Sequence, residues 1–206
     1  MSVEPKSTNR YWHHDVSIRE FLGADYPEFD EMWDSTDRIS GSYTRLNSAV
    51  LFKYAKECNG LIVEVGVDQG RSGSILLHCA KNTGAKLVFV DSWESVLVEN
   101  KAKFTNMCEK SGYMKYLVWH TTSEKAATDI KKITSEIDML HIDANHYRGG
   151  VDVDCQLWLP MLKSGGVVLF HDYASSFEAV TDSVDRYTDG WEDLGSWDSL
   201  AVRRKP

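Results

Sequence analysis

Two short stretches carry residue types that could work together on a substrate. In LHIDANHY, residues 140–147, an apolar run breaks into Asp143, Asn145 and His146. In VVLFHDY, residues 167–173, a second apolar run ends in His171 and Asp172. Paired carboxylates make a hard-cation site, and an ion such as Mg²⁺ there would orient and acidify a hydroxyl group. Asp143 and Asp172 are the best metal ligands, with His171 or Asn145 completing the shell. An imidazole titrates near neutral pH, so His146 or His171 suits the role of general base. The plainer alternative is that Asp172 caps a turn and the histidines bond to backbone. Convergence on adjacent strand ends favours a site over that alternative.

The elements around these stretches alternate. Short β-rich runs stand at LIVEVG (61–66), KLVFVD (86–91), KYLVWH (115–120), IDMLHID (137–143) and GVVLFHD (166–172). Between them, SGSILLHCAKN, SVLVENKAKFTNMCEKS, SEKAATDIKKIT and YRGGVDVDCQLWLPMLKS have helical spacing. Val151, Cys155, Trp158, Leu159 and Leu162 share one face of the last, and Pro160 is placed to kink its end. Such alternation predicts an α/β fold, a doubly wound and mostly parallel sheet with helices on both faces. The tail continues with a helix in SSFEAVTDSVDRYTD. GWEDLGSW and DSLAVRRK then read as two strands joined through Gly195, too close for a helical crossover. They predict a C-terminal antiparallel hairpin and seven strands in all. Ligands of such sheets bind at the carboxyl ends of the strands, where Asp143, His146, His171 and Asp172 would meet.

Before residue 60 no strand pattern is present. RLNSAVLFKYAKEC reads as a helix, and the segment ahead of it, with Tyr11, Trp12, Tyr26, Phe29, Trp33 and Tyr43, reads as a lid over the ligand edge. His13 and His14 would touch substrate only if that lid closed. No linker interrupts the chain, so residues 1–206 are expected to form one domain, a helical extension over 1–59 and an α/β core over 60–206. His78 and His141, inside helix and strand patterns, read as packing residues.

Composition narrows the function classes. The 206 residues are 42% hydrophobic and 26% charged, an ordinary globular balance. A net charge of −8 without a basic stripe argues against nucleic acid as the main partner. No run approaches a membrane-spanning length, and MSVEPKSTNRYWHHD has no apolar signal-peptide core, so a cytoplasmic protein is expected. Cys58, Cys79, Cys108 and Cys155 lie far apart in no metal-ligand spacing and read as structural thiols.

IVEVGVDQGRSG, residues 62–73, supplies the ligand signal. Gly66, Gly70 and Gly73 punctuate a strand-to-helix turn, where backbone can approach a ligand closely. A nicotinamide fingerprint requires glycine where Asp68 stands, and a carboxylate there faces a pyrophosphate unfavourably. Glu64 and Asp68 suit a ligand bearing positive charge, as S-adenosylmethionine does with its ammonium and sulfonium.

On these residues the chain resembles the class I S-adenosylmethionine-dependent methyltransferases, whose first motif E/D-x-G-x-G-x-G here reads Glu64-Val-Gly66-Val-Asp68-Gln-Gly70. The resemblance implies that Glu64 anchors the amino group of the methionine portion while Gly66, Asp68 and Gly70 admit it. Asp91, 21 residues after Gly70, would hold the ribose hydroxyls with Ser92 beside it, and Trp93 would stack on adenine. Thr121, Thr122 and Ser123 match the segment that contacts adenine, although Ser123 reads equally well as a helix N-cap. D-x-x-H-Y after the fourth strand and H-D-Y after the fifth resemble a branch that includes small-molecule and sugar O-methyltransferases. Asp154, Trp158, Pro160, Leu162, Gly165 and Gly166 fit the pattern between them.

That branch implies methyl transfer to a hydroxyl of a sugar, an aromatic or another secondary metabolite, with Asp143, His146, His171 and Asp172 catalytic. Asp143 would also touch the cofactor, and Mg²⁺ is the metal the branch implies. Several relatives have an acid at the position of Asn145, which weakens the case for metal. Relatives often form homo-oligomers. The rival readings are a non-catalytic cofactor-binding member of the fold and, more remotely, a nicotinamide-dependent oxidoreductase.

Overall fold

In the computed structural model, residues 17–36, 39–93, 98–134 and 136–206 are described. Tyr11, Trp12, His13 and His14 lie outside the described residues, as does the start of the helical segment at 95–97. The predicted strands form one sheet: β1 (Leu61–Val65), β2 (Lys86–Asp91), β3 (Tyr116–His120), β4 (Ile137–Ile142), β5 (Leu162–Phe170), β6 (Glu192–Trp197) and β7 (Leu200–Arg204). Their order is β3-β2-β1-β4-β5-β7-β6. β1 to β5 are parallel, and β7 runs antiparallel to both of its neighbours.

Strand residues alternate between two apolar layers, as a pleated sheet requires. Ile62, Phe89, Met139 and Leu169 face one layer, built with α1 (Ile18–Leu22), α2 (Tyr26–Thr36), α3 (Arg45–Glu57), α4 (Arg71–Thr83) and α5 (Val98–Ser111). Val63, Val65, Leu140 and Phe170 face the other, built with α6 (Ser123–Ile130), α7 (Arg148–Trp158) and α8 (Glu178–Tyr187). Leu51, Ile75 and Leu76 are fully buried, so cutting any one to alanine should cost about 2–5 kcal/mol. Among the described residues no helix is long and apolar enough to cross a membrane.

Helix ends follow local chemistry. The Thr44 hydroxyl accepts from the Asn47 amide at 3.1 Å and starts α3. Thr122, rather than Ser123, is the N-cap of α6. α7 ends at Trp158, and Pro160 sits in a 3₁₀ turn, Leu159–Met161.

Three expectations need correction. Gly195 does not join the final strands. It lies inside β6 at an irregularity beside Asp193, with φ 124°, and the turn falls at Asp198 and Ser199. β5 starts four residues before Gly166, because Gly165 and Gly166 exchange backbone hydrogen bonds with Lys205 at 2.8 and 3.0 Å. The aromatic segment is not a lid along α2, where Phe29 and Met32 are buried in the layer of α3 and α4 and Phe29 packs on Phe52, whereas Ser42 near its end lies at the ligand edge.

Candidate active site

The carboxyl ends of β1 to β5 open into a cavity of about 590 Å³. Its walls follow the strand order: Thr121 to Glu124 after β3, Asp91 and Ser92 after β2, Gly66 to Asp68 after β1, Asp143 to His146 after β4, and Asp172 after β5.

The turn after β1 is shaped by two glycines. Gly66 has φ 89°, and a Cβ there would overlap the carbonyl of Asp143, so the β1 and β4 loops approach as closely as backbone can. Gly70, at φ 90°, leads into α4 beneath the ring of Phe104. Asp68 stands where the motif has its middle glycine, and it keeps the left-handed backbone (φ 50°) that glycine would supply. Aspartate tolerates that region better than most side chains. Asn100 on α5 donates to its carboxylate at 2.5 Å and holds it there.

Asp91 fixes the same turn from the neighbouring strand. Its Oδ2 accepts from the amides of Val67 and Asp68 at 2.8 and 2.9 Å, and its Oδ1 accepts from the Trp93 amide at 2.7 Å. This carboxylate therefore braces the glycine turn while it lines the cavity.

At the other end sits an alternating cluster of acids and imidazoles. His146 Nε2 lies 2.8 Å from Asp172 Oδ2 and 3.7 Å from Asp143 Oδ1. His171 Nδ1 lies 3.2 Å from Asp143 Oδ1 and 3.4 Å from Asp172 Oδ2. The two aspartates hold the His146 imidazole in its charged form up to about 9. Burial pulls His171 down, but the same aspartates outweigh it, and its pKa too reaches about 9. Burial raises both carboxyls, and the imidazoles more than reverse this, leaving Asp143 and Asp172 below their usual values. Neither imidazole is thus a free base at neutral pH. Ligand atoms of Asp143, His146 and Asp172 lie within 4.8 Å of one another, a spacing that could hold a cation.

Asp68, Asp91, Ser92, Thr122, Ser123, Gly66, Asp143, His146 and Asp172 line the cavity as anticipated, whereas Glu64, Gly70, Trp93 and His171 do not. Glu64 is the largest departure. Two residues before the turn, strand parity sends its side chain into the α3/α4 layer, where it is fully buried and pairs with His141 Nδ1 at 3.0 Å. Trp93 is turned inward by φ 39°, and its indole donates to the Asp68 carbonyl at 2.9 Å, leaving no face for adenine. His171 points to α3, within 3.3 Å of Asn47 Nδ2 and Ser199 Oγ. Asn145 lines the cavity, but its Oδ1 accepts from the Tyr147 amide at 2.9 Å and braces its own loop.

Several contacts at the site were not anticipated from the sequence. His141 is no mere packing residue: it bridges Glu64 and the Tyr43 hydroxyl, the latter at 2.6 Å. Tyr43 stacks on His171 at 4.6 Å between ring centres. Burial raises the Tyr43 hydroxyl well above its usual pKa and raises the Glu64 carboxyl as well. Ser42 reaches the cavity rim, and Asp154 of α7 lies in its wall. Ser123 donates to Asp154 Oδ1 and accepts from Trp158 Nε1 at 2.8 Å. The four-residue spacing of Asp154 and Trp158 was the available signal, since it puts both on one helix face.

Comparison with known proteins shows the family and the fold. Residues 63–173 match a family model described as a methyltransferase domain. An uncharacterised protein, y4gI, of Sinorhizobium fredii is 29% identical over 121 residues, 54% of this chain and 13% of its own length. The chain thus spans a small part of that relative. Among solved structures, the calicheamicin methyltransferase CalS11 superposes with a TM-score of 0.62 at 11% identity, covering 99% of both chains. An O-methyltransferase from Bacillus cereus in complex with SAH gives 0.64 at 14% identity, covering 91% of this chain and 95% of that one. These likenesses establish the Rossmann-like sheet.

Proposed function

This chain belongs to the methyltransferase-domain family, and on that premise we propose that it transfers a methyl group from S-adenosylmethionine to a hydroxyl of a small molecule. The observation that carries the reading is the single cavity that sets the glycine turn and Asp91 beside Asp143, His146 and Asp172. The methyl donor's cationic portion is matched by the carboxylates there. Neighbouring structures described as O-methyltransferases support oxygen as the acceptor atom.

The reaction is an in-line displacement. The acceptor oxygen bonds to the methyl carbon, the carbon–sulfur bond breaks, and S-adenosylhomocysteine leaves. Most of the acceleration would come from alignment of oxygen, carbon and sulfur. Asp143 and Asp172 would orient the acceptor hydroxyl. His146, the one imidazole of the cluster that lines the cavity, would take its proton, and it does so only after its own proton has left, at alkaline pH. The donor set also fits a divalent cation: Asp143 and Asp172 would hold Mg²⁺, with His146 as the third donor. Such an ion would acidify the hydroxyl in place of the base.

Calorimetric titration of metal-stripped protein with S-adenosylhomocysteine and with NAD⁺, each repeated with Mg²⁺, tests the reading. Binding of the homocysteine product alone is expected, and methyl transfer to a panel of hydroxylated sugars and phenols should follow. Binding of NAD⁺ without the homocysteine product would overturn it. Activity unchanged by chelators would remove the metal.

A further inference from the structure

Each of the two loops that carry the reacting groups also carries an exposed aromatic ring. On the β4 loop Tyr147, 83% exposed, stands between His146 and Gly150, which both line the cavity. On the β5 loop Phe177, 41% exposed, stands between Asp172 and α8. The Phe177 ring lies nearly parallel to the His146 imidazole, 4.5 Å away between centres. Its placement is built into the loop. Asp172 and Ala174 hold left-handed backbone (φ 58° and 53°), which costs energy in residues that have a Cβ. The turn is kept there by the Tyr173 amide on the Ser199 carbonyl at 2.9 Å and the Ala174 amide on Thr181 Oγ1 at 2.7 Å. Ser175 beside the ring serves the loop itself: its Oγ donates to the Asp172 carbonyl at 2.6 Å and accepts from the Phe177 amide at 3.2 Å. Ring surface is what this mouth has left to offer, and apolar surface at the mouth of a cavity is where a ligand is held.

Charge narrows the ligand. Asp68, Asp91, Glu124, Asp143 and Asp172 line the cavity, and among the described residues no lysine or arginine does. At the acceptor end Asp143 and Asp172 face His146 and His171, so that end is neutral or negative whichever form the imidazoles take. Arg148, the first residue of α7 and next to Tyr147, is ion-paired with Asp182 of α8. A phosphate or carboxylate entering here would lose water and meet no partner. An uncharged ring loses little, and either the flat face of a phenol or the C–H face of a sugar can rest on an aromatic side chain. Resting on the methyltransferase reading above, we propose that the acceptor is an uncharged ring compound seated against Phe177, and that the site rejects nucleotide-linked and other anionic acceptors.

The test uses protein saturated with S-adenosylhomocysteine. It is titrated calorimetrically with two pairs of ligands, 2-naphthol against 6-hydroxy-2-naphthoate and methyl α-glucoside against UDP-glucose, with chelator and again with Mg²⁺. In at least one pair the neutral member should bind about 10-fold or more tightly than the anion under both conditions. The pair that does so tells a phenol from a sugar. Phe177→Ala should weaken that neutral ligand by about 3- to 10-fold and leave S-adenosylhomocysteine binding within about twofold. Asp182→Asn, which releases Arg148 at the mouth, should narrow the preference against the anion. Melting curves check that both variants fold. An anion that binds as tightly as its neutral partner, or no binding of either neutral ligand, would overturn the proposal and leave the methyltransferase reading intact. So would a Phe177→Ala protein that binds the neutral ligand as wild type does. Failure of wild type to bind S-adenosylhomocysteine would instead sink the cofactor reading, and this inference with it.

Discussion

At the ends of β4 and β5, Asp143, His146 and Asp172 face open cavity. Two residues earlier along β4, His141 joins Glu64 to Tyr43 in full burial. The two groups have like chemistry, carboxylates against imidazoles, and they touch where Tyr43 stacks on His171. What separates them is distance from the strand end. A side chain past the last strand residue looks into the cavity, whereas the side chain of His141 looks into the helical layer. The exposed cluster can exchange protons and ligands. The buried chain ties the segment before α3 to β1 and β4 and so props the cluster from behind.

This division predicts opposite phenotypes. Asp143→Ala should lower kcat/KM for methyl transfer by about 10³-fold, within the range for removing a group that prepares the reacting atoms. Its thermal midpoint should move little, and a melting curve beside the kinetics checks both. A large melting shift with modest kinetic loss would assign Asp143 to structure. His141→Leu should do the reverse. It strips the buried Glu64 carboxyl and Tyr43 hydroxyl of their shared partner, which costs roughly 3 kcal/mol. For a chain of this size that lowers the midpoint by about 6–12 °C. The folded fraction should keep its turnover within about threefold. The double variant Glu64→Leu/His141→Leu should recover part of the lost stability, because one stranded group is gone.

The pH response sharpens the comparison, since both imidazoles of the cluster titrate in reach of ordinary buffers. His146 and His171 are raised to about 9 from an unfolded value of 6.5. Their contribution to stability is complete below pH 6.5 and is lost as pH rises through about 9. The lowered aspartates contribute above their unfolded 3.8 and lose that contribution as pH falls through their folded values. This cluster therefore stabilises metal-free protein most between about pH 4 and 6.5. Activity should run the other way, rising by on the order of 50-fold from pH 7 to 9 as His146 gives up its proton. Melting and rate profiles on chelator-treated protein would show the opposed slopes. A rate flat from pH 7 to 9 would remove His146 as the base.

Much of this was legible in the sequence because it depends on local pattern. Alternating strands and helices, the turn residues around Gly66 and the polar groups at the ends of β4 and β5 announced the sheet and the cluster. The misplaced residues share a cause. Glu64 and His171 were assigned by proximity to strand ends, but alternation along the strand turned both into the α3 layer. Trp93 was assigned by adjacency to Asp91, whose carboxylate instead curls the chain back. Tyr43 reaches the site from a distant part of the chain, through packing of the segment before α3, and no local pattern encodes that meeting.

Asn145→Asp is the mildest change that still distinguishes the two regions. The amide's Oδ1 accepts from the Tyr147 amide, and a carboxylate can keep that bond. Its side chain packs over Gly150, where any Cβ would overlap it, so the loop should hold its shape. What changes is charge: a new carboxylate joins Asp143 and Asp172 around the same space. Without metal the like charges repel and the midpoint should fall slightly, equivalent to less than about 1 kcal/mol. With Mg²⁺ the added oxygen ligand should tighten ion binding by about threefold or more, because hard cations gain from carboxylate count. Calorimetric Mg²⁺ titration of both proteins reads this directly. Unchanged weak binding in the variant would mean that the cluster works through its imidazoles alone, and that the amide at Asn145 marks a site built without metal.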